Sequence, residues 1–270
     1  MSDRSISVVI PTYNRETTLE RAIRSVLSQQ HPVLEVIVVD DGSTDGSVQL
    51  VQRLAEQDGR VRLILADHRG AAAARNRGVA EANGSLIAFQ DSDDEWTPDF
   101  LAELFPRVGD RNDIVAFASH RVHYRDGTID VVPAERVDDV ARRLLTHSII
   151  STQTALIPRR LLQSHPFDEH LARFQDWSLW LSMISTGGVQ FVHRPVIGAE
   201  IYRLGDSISE GSTRIRSQSL RRILRTNRAL FLRHPKALGR LLVRAYLRPG
   251  VTSKHTAPSR PRSESRKEPV

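Results

Sequence analysis

The sequence predicts an α/β fold: a mostly parallel sheet with helices on both faces, then a mixed half, then C-terminal helices. Three observations predict it. Short apolar runs alternate with amphipathic stretches up to Trp96, at roughly 25-residue intervals, the rhythm of parallel strands joined by crossover helices. After Trp96 that rhythm gives way to a hairpin pattern and unevenly spaced elements. From Arg214 onward the composition turns strongly basic, with 16 basic and two acidic residues among the last 57.

Taken in order, Ile6-Ser7-Val8-Val9-Ile10 reads as a buried strand closed by Pro11. Asn14 reads as the N-cap of a helix from Arg15 to Gln29, where Leu19, Ala22, Ile23, Val26 and Leu27 recur at helical spacing. Val36 to Val39 is a second strand, ending in Asp40-Asp41-Gly42-Ser43-Thr44-Asp45, and Val48 to Ala55 a helix. Val61 to Leu65 is the third strand. Ala71 to Ala82 is a helix entered from Arg69-Gly70, and Leu86 to Phe89 is the fourth strand. Beyond Trp96, Phe100 to Val108 reads as helix. Ile114 to Tyr124 and Thr128 to Val132 form a hairpin turning at Asp126-Gly127. Val137 to His147 reads as helix, Thr154 to Ile157 as a strand stopped by Pro158, and Phe174 to Ser185 as a helix with a heavy apolar face. Val189 to His193 and Val196 to Tyr202 close the body as two strands. The expected units are 1–213 (halves 5–96 and 97–213, read as a cofactor half followed by a partner half), basic amphipathic helices over 214–248, and a disordered Pro/Ser/Arg-rich tail over 249–270.

Composition bounds the function. Hydrophobic content of 40% and charged content of 26% fit a globular protein. With no cysteine, disulfides and thiolate chemistry are excluded. No apolar stretch approaches the ~20 residues needed to span a bilayer, and no signal segment is legible, so a cytoplasmic protein is expected. The net charge of +6 divides unevenly: +14 from Arg214 onward and −8 before it. A basic amphipathic tail either lies on an anionic membrane surface, at the inner face of the membrane, or covers the body's own core with its arginines solvated. No nucleic-acid fold is legible, and nucleic acid is not an expected partner.

The chemistry concentrates where strands end. Leu86-Ile87-Ala88-Phe89 stops at Gln90-Asp91-Ser92-Asp93-Asp94-Glu95, four carboxylates within five residues. At the C-terminal end of a parallel strand these lie where open α/β sheets place ligands. Their mutual repulsion is relieved by a cation, and oxygen-only donors favour Mn2+ or Mg2+ over zinc. An acidic helix-capping turn is the simpler alternative for such a cluster alone. Asp40, Asp41 and Tyr13 end neighbouring strands, Arg69 and Arg75 suit phosphate, and Gly70 opens a helix whose N-terminus favours an anion. Together they describe a nucleotide-diphosphate site with a divalent metal. A dinucleotide fingerprint, a P-loop, a G-x-S-x-G elbow and an H-E-x-x-H pair are all missing.

In the order Val8-Val9-Ile10-Pro11-Thr12-Tyr13-Asn14-Arg15, Val38 to Asp45, Ala74-Arg75-Asn76-Arg77-Gly78 and Asp91-Ser92-Asp93-Asp94, the chain resembles the family-2 glycosyltransferases of the GT-A fold. Phe167-Asp168-Glu169, Asp176 to Leu181, and Tyr202-Arg203 with Ser207-Ile208-Ser209 extend the resemblance. It implies inverting transfer of a sugar from a nucleotide-diphosphate donor, a UDP- or dTDP-sugar, to a glycan or lipid-linked acceptor in envelope glycan or polysaccharide assembly. It implies that Pro11, Tyr13, Asp40, Asp41, Arg69, Arg75 and Asp91 bind the nucleotide, that Asp93 with Asp91 holds the metal, and that Asp176 is the catalytic base. Two positions depart from the family pattern. Gln175 stands where a Glu is common, which should make Asp176 a weaker base, and the closing motif lacks its histidine, leaving Asp206 or His193 as substitutes. The alternatives are a catalytically impaired nucleotide-sugar binder or, less in keeping with the missing phosphate loop, a sugar-nucleotide pyrophosphorylase.

Overall fold

The computed structural model describes residues 4–203 and 213–247. Four parallel strands form one half of a single sheet: β1 (Ile6–Thr12), β2 (Glu35–Asp40), β3 (Val61–Leu65) and β4 (Leu86–Phe89), in the order β3-β2-β1-β4. Helices α1 (Leu19–Leu27), α2 (Ser47–Gln57) and α3 (Ala71–Glu81) connect them. The sheet continues through β8 (Ala155–Pro158), antiparallel to β4, then β6 (Ile114–Tyr124), β9 (Gln190–Arg203) and the short β5 (Glu95–Trp96). The hairpin strand β7 (Ile129–Val132) pairs with β6 alone. The remaining helices are α4 (Phe100–Val108), α5 (Val140–Leu144), α6 (Arg159–Ser164), α7 (Gln175–Thr186), α8 (Thr213–Thr226), α9 (Arg228–Leu232) and α10 (Pro235–Leu242).

Period-two alternation sorts each central strand between two cores. Val8, Ile10, Val36, Val38, Leu86 and Ala88 pack under α1, α2 and α4. Val9, Ile37, Val39, Ile87 and Phe89 pack on the other face, under α3, α5, α7 and the C-terminal helices. Pro11 sits inside β1 without breaking the ladder. Its nitrogen faces the β4 side, like that of Val9, and pairing with β4 has ended at Gln90 N–Val9 O.

Several expectations change at element ends. Asn14 is no N-cap: it lies at φ 50°, its side chain accepts from Thr44 N at 2.8 Å, and α1 begins five residues later. The helix expected over 137–147 shrinks to Val140–Leu144, capped by Asp139. The two closing strands are one, β9, with a bulge at Pro195-Val196 where the register with β6 steps from Ala118↔Arg194 to Ser119↔Ile197. A proline lacks the ladder N–H, and a bulge absorbs it without ending the strand. The helical tail is broken where Pro235 starts α10. Its apolar stripe (Leu220, Ile223, Leu230, Phe231, Leu241, Ala245) is buried in the same core as α7 and β4, so the core continues across residue 213. Among the described residues no helix is long and apolar enough to cross a membrane.

Candidate functional site

The site is built from the C-terminal ends of β1, β2 and β4, the first turns of α3 and α7, and the turn Thr152–Thr154. The topology brings these together because β1 and β4 flank the point where strand order reverses, the edge at which open α/β sheets place their ligands.

Arg75, on α3 and with only 11% of its side chain exposed, bridges the end of β4 and the head of α7. Its Nη2 donates to Asp91 Oδ1 at 2.8 Å and its Nη1 to Gln175 Oε1 at 3.0 Å. The planar fork of a guanidinium suits this two-sided role. Gln175 in turn donates to Leu171 O at 2.8 Å. The residue that departs from the family pattern is thus the one that ties Arg75 to the head of α7.

The acidic cluster is held rather than solvated. Gln153, 2% exposed, donates through Nε2 to Asp94 Oδ2 at 2.8 Å and Asp91 Oδ2 at 3.2 Å. Asp94 also accepts from Tyr202 N at 2.7 Å, which ties the cluster to the end of β9. Burial, then the charges of Asp91 and Asp93, push Asp94 up to about 8. Burial and then Asp91 raise Asp93, against the pull of Arg15, 3.6 Å away, and of Arg21. Asp94 therefore behaves as a structural carboxyl beside Asp91 and Asp93, which are less buried. Sequence reasoning missed Gln153, which gave no signal inside Thr152-Gln153-Thr154, and assigned Asp94 no role although it lay in the motif.

On the other side, the chain enters α7 through Phe174 at φ 62°, a left-handed conformation that disfavours bulky side chains. Its ring meets Trp177 edge-on at 5.9 Å. Asp176 follows in the first turn, where the helix N-terminus favours a negative charge. It is not the N-cap, which is Phe174. Burial raises its pKa, and the charge of Asp91 adds to that; Trp177 N, Arg75 and Ser148 pull it down without cancelling the rise. The net direction for Asp176 is upward from an ordinary aspartate, with burial as the largest cause; the effect expected of Gln175 is relative to a glutamate at that position and acts on the same carboxyl.

Tyr13, 42% exposed, leans over His68 with ring centroids 4.4 Å apart. His68 Nδ1 lies 2.8 Å from Asp41 O. Asp41 is buried, and its two oxygens accept from Arg69 N and Gly70 N, both at 2.8 Å. It shapes the loop into α3, where Gly70 takes φ 91° as N-cap. Asp40 turns inward, Oδ1 accepting from Ser43 N at 2.9 Å. The Arg69 side chain points away from the cluster to Glu169 Oε2, at 2.7 Å. The structure therefore brings Arg75, Asp91, Asp93 and Asp176 together at one edge of the sheet, with Tyr13 and Asp41 on the neighbouring strand ends and the Arg69 side chain paired with Glu169.

His193 takes no part in the cluster. Val137 N donates to its Nδ1 at 3.1 Å, so Nε2 carries the hydrogen and donates to Ser119 Oγ at 3.0 Å, which donates to Pro133 O. Burial lowers its pKa to about 4 and holds it neutral. Asp206 and Ser207-Ile208-Ser209 lie outside the described residues.

The residues fit a hard divalent ion. Buried polar atoms without a hydrogen-bond partner collect at this edge: Arg75 Nε, Gln153 Oε1, Thr12 Oγ1, Asp40 Oδ2 and the Gln90 amide. Such atoms call for a ligand or water. Asp91 and Asp93 offer oxygens only. Among the described residues no third carboxylate or histidine completes a cage, the pattern of Mg2+-type sites that share the ion with substrate phosphates.

The profile of Glycosyl transferase family 2 matches residues 7–165. TuaG of Bacillus subtilis (strain 168), a glycosyltransferase named for teichuronic acid biosynthesis, is 34% identical over 188 residues, 67% of this chain and 73% of its own. WfgD of Escherichia coli, named as a UDP-Glc:alpha-D-GlcNAc-diphosphoundecaprenol beta-1,3-glucosyltransferase, is 30% identical over 209 residues, 77% of this chain and 80% of its own. Other relatives are longer, and the chain spans about a third of their length (32%). The mannosyltransferase PcManGT from Pyrobaculum calidifontis, solved with GDP-Man and Mn2+, superposes with a TM-score of 0.63 at 22% identity, covering 90% of this chain and 69% of that one. At that identity the likeness speaks for the fold, which is GT-A-like. The profile spans more than half of the sequence, and the chain is a glycosyltransferase that belongs to glycosyl transferase family 2.

Proposed function

We propose that this glycosyltransferase moves a sugar, with inversion, from a UDP- or dTDP-sugar to an acceptor hydroxyl in envelope glycan or polysaccharide assembly, with Asp176 as general base. The observation that carries the reading is the bridge made by Arg75: Asp91, next to Asp93, lies on one side of it, and on the other lies Gln175 at the head of α7, beside Asp176, a half-buried carboxyl whose pKa is raised. The Tyr13 ring is exposed for a base to stack on, and Asp41 fixes the Arg69-Gly70 loop beside it. Asp91 and Asp93 would hold Mn2+ or Mg2+, and when bound such an ion supplies counter-charge to the departing diphosphate. The first turn of α3 and the exposed Arg69 guanidinium, which pairs with Glu169, offer further positive potential to that diphosphate.

Asp176 takes the proton of the acceptor hydroxyl while that oxygen bonds to the anomeric carbon. The bond from that carbon to the diphosphate oxygen breaks on the opposite face, its electron pair leaving with the nucleoside diphosphate. Arg75 holds Asp91 and the head of α7 in register, so that donor and base face each other. WfgD's named acceptor is a lipid-linked diphosphate, and a lipid-linked acceptor is proposed here too. The exposed arginines of α8–α10 would bring the enzyme to an anionic membrane surface.

The test is sugar transfer, or slow donor hydrolysis, with and without Mn2+. Asp176→Asn should abolish turnover by at least ~100-fold, a typical general-base contribution, while donor binding by thermal shift is kept. Unchanged turnover in Asp176→Asn would refute the assignment of the base.

A further inference from the structure

A cavity lies away from the Arg75–Asp91 site. It has a volume of about 1020 Å³ and is walled by β7 with the loop after it, by α5 with the loop after it, and by the α9–α10 junction. Its floor is apolar: Val132, Pro133, Leu145, Ile149 and Ala237, the last three almost wholly buried. Its rim carries Arg142, Arg143, Arg233, Lys236 and Arg240, all exposed, against Asp130 and Glu135. None of those five cations is in an ion pair among the described residues, whereas cations elsewhere on the surface often are. Ile129, Val131 and Leu232 stand exposed at or beside the mouth, at 55%, 37% and 61%. An apolar floor under a ring of unpaired positive charge fits an amphiphile with an anionic head. The size, at the upper end of ordinary ligand pockets, leaves room for a chain.

We infer that this cavity binds the lipid-diphosphate end of the acceptor, with the diphosphate on Arg142, Arg143, Lys236 and Arg240 and the first units of an alkyl or isoprenoid chain on the floor. The inference rests on the proposed lipid-linked acceptor and assigns it a place. The cavity is coupled to the catalytic side through one loop. Thr146, His147 and Ile149 face the cavity, and Ser148 between them lies 3.5 Å from Asp176 Oδ2 as a hydrogen-bond donor. The same loop is pinned to α7 by Trp177 Nε1 on Leu144 O at 2.6 Å and to the C-terminal helices by Arg244 Nη1 on Thr146 O at 2.8 Å. A diphosphate seated on the rim thus lies across a single loop from the base that must meet its sugar. The chain's own residues 248–270 are a poor occupant, since six basic residues against two acidic ones would face a basic rim.

Farnesyl diphosphate, which lacks any sugar, tests the site by calorimetry on the full chain. It should bind at least tenfold more tightly than either farnesol or inorganic diphosphate, because floor and rim each contribute. Arg143→Glu/Lys236→Glu, two surface changes that leave the core alone, should weaken it at least tenfold, and Ala237→Trp should do the same by filling the floor. Donor hydrolysis and the donor-induced thermal shift should stay unchanged in the charge variant. Three results would overturn the inference: no farnesyl diphosphate binding by the wild-type chain, equal binding by the charge variant, or weakened binding only to phosphatidylglycerol vesicles. Loss of donor hydrolysis in the wild-type chain would instead count against the proposed reaction and leave this binding result standing.

Discussion

Arg75 offers one nitrogen to Asp91 and another to Gln175, and a lysine cannot make both bonds in one plane. Arg75→Lys is expected to lower kcat/KM by about 100-fold, as misplacing a catalytic group by about an ångström can, with donor-induced thermal stabilisation reduced as well. Gln175→Glu keeps an acceptor for Arg75 but adds a negative charge beside Asp176. That raises the pKa of the base further, so its ionised fraction falls at a given pH. The acid limb of the kcat/KM profile should therefore move to higher pH, and a shift to lower pH would contradict the assignment. His193 gives a stability prediction away from the site. Its folded value of about 4 lies below the unfolded reference of 6.5, so between those values the unfolded chain takes up a proton that the folded chain refuses. Its contribution is full above about pH 6.5 and is lost as pH falls toward 4, on the order of 3 kcal/mol in all. In melting curves across that window, His193→Gln should be less stable at pH 7 but lose less on acidification than the wild-type chain.

At the scale of elements, α3 matters most because it carries Arg75 and leads from the Asp41-held loop. A Cβ on Gly78 would overlap Val9 Cγ1, so the glycine lets α3 lie close against β1. Gly78→Ala should cost about 1–3 kcal/mol through overpacking, read as a lower denaturant midpoint at unchanged m-value. It should also reduce turnover, because Arg75 moves with the helix. The segment Phe167-Asp168-Glu169 ties elements together. Asn76 of α3 holds Phe167 N and O at 2.9 and 3.0 Å, Asp168 pairs with Arg222 of α8, and Glu169 meets Arg69. Burial alone would raise Asp168, but the Arg222 guanidinium and the His170 N–H together outweigh it and hold the carboxyl low. In the structure this segment is a joint between the first half of the chain and its C-terminal helices.

For the molecule as a whole, the C-terminal helices are part of the body. Leu220, Ile223, Leu230, Phe231 and Leu241 bury against α7 and the sheet, and Arg244 lies over the Trp177 ring at 5.6 Å. The basic helices therefore divide their faces, with apolar residues in the core and Arg221, Arg225 and Arg228 turned outward. A chain ending at Ser212 should expose that core. It should lose its cooperative melting transition and bind a hydrophobic dye, whereas a chain ending at Leu247 should melt as the full chain does. A truncation at 212 that melts normally would show the helices to be a separable appendage.

The sequence by itself determined the alternation of strands and helices, the parallel half of the sheet and the Asp91 cluster at its edge. Those features follow from local periodicity and from charge placed where an apolar run stops, and both are written in consecutive residues. It also supplied Arg75 and Asp176, through motifs, but not the relation between them. That Gln175 would bind Arg75, that Gln153 would hold two aspartates, that His193 would be locked between Ser119 and Val137, and that the basic helices would complete the core were decided only by tertiary structure. The named side-chain contacts join residues 56 to 100 positions apart in a water-poor interior, where burial shifts a pKa and a neutral amide can do the work of a charge.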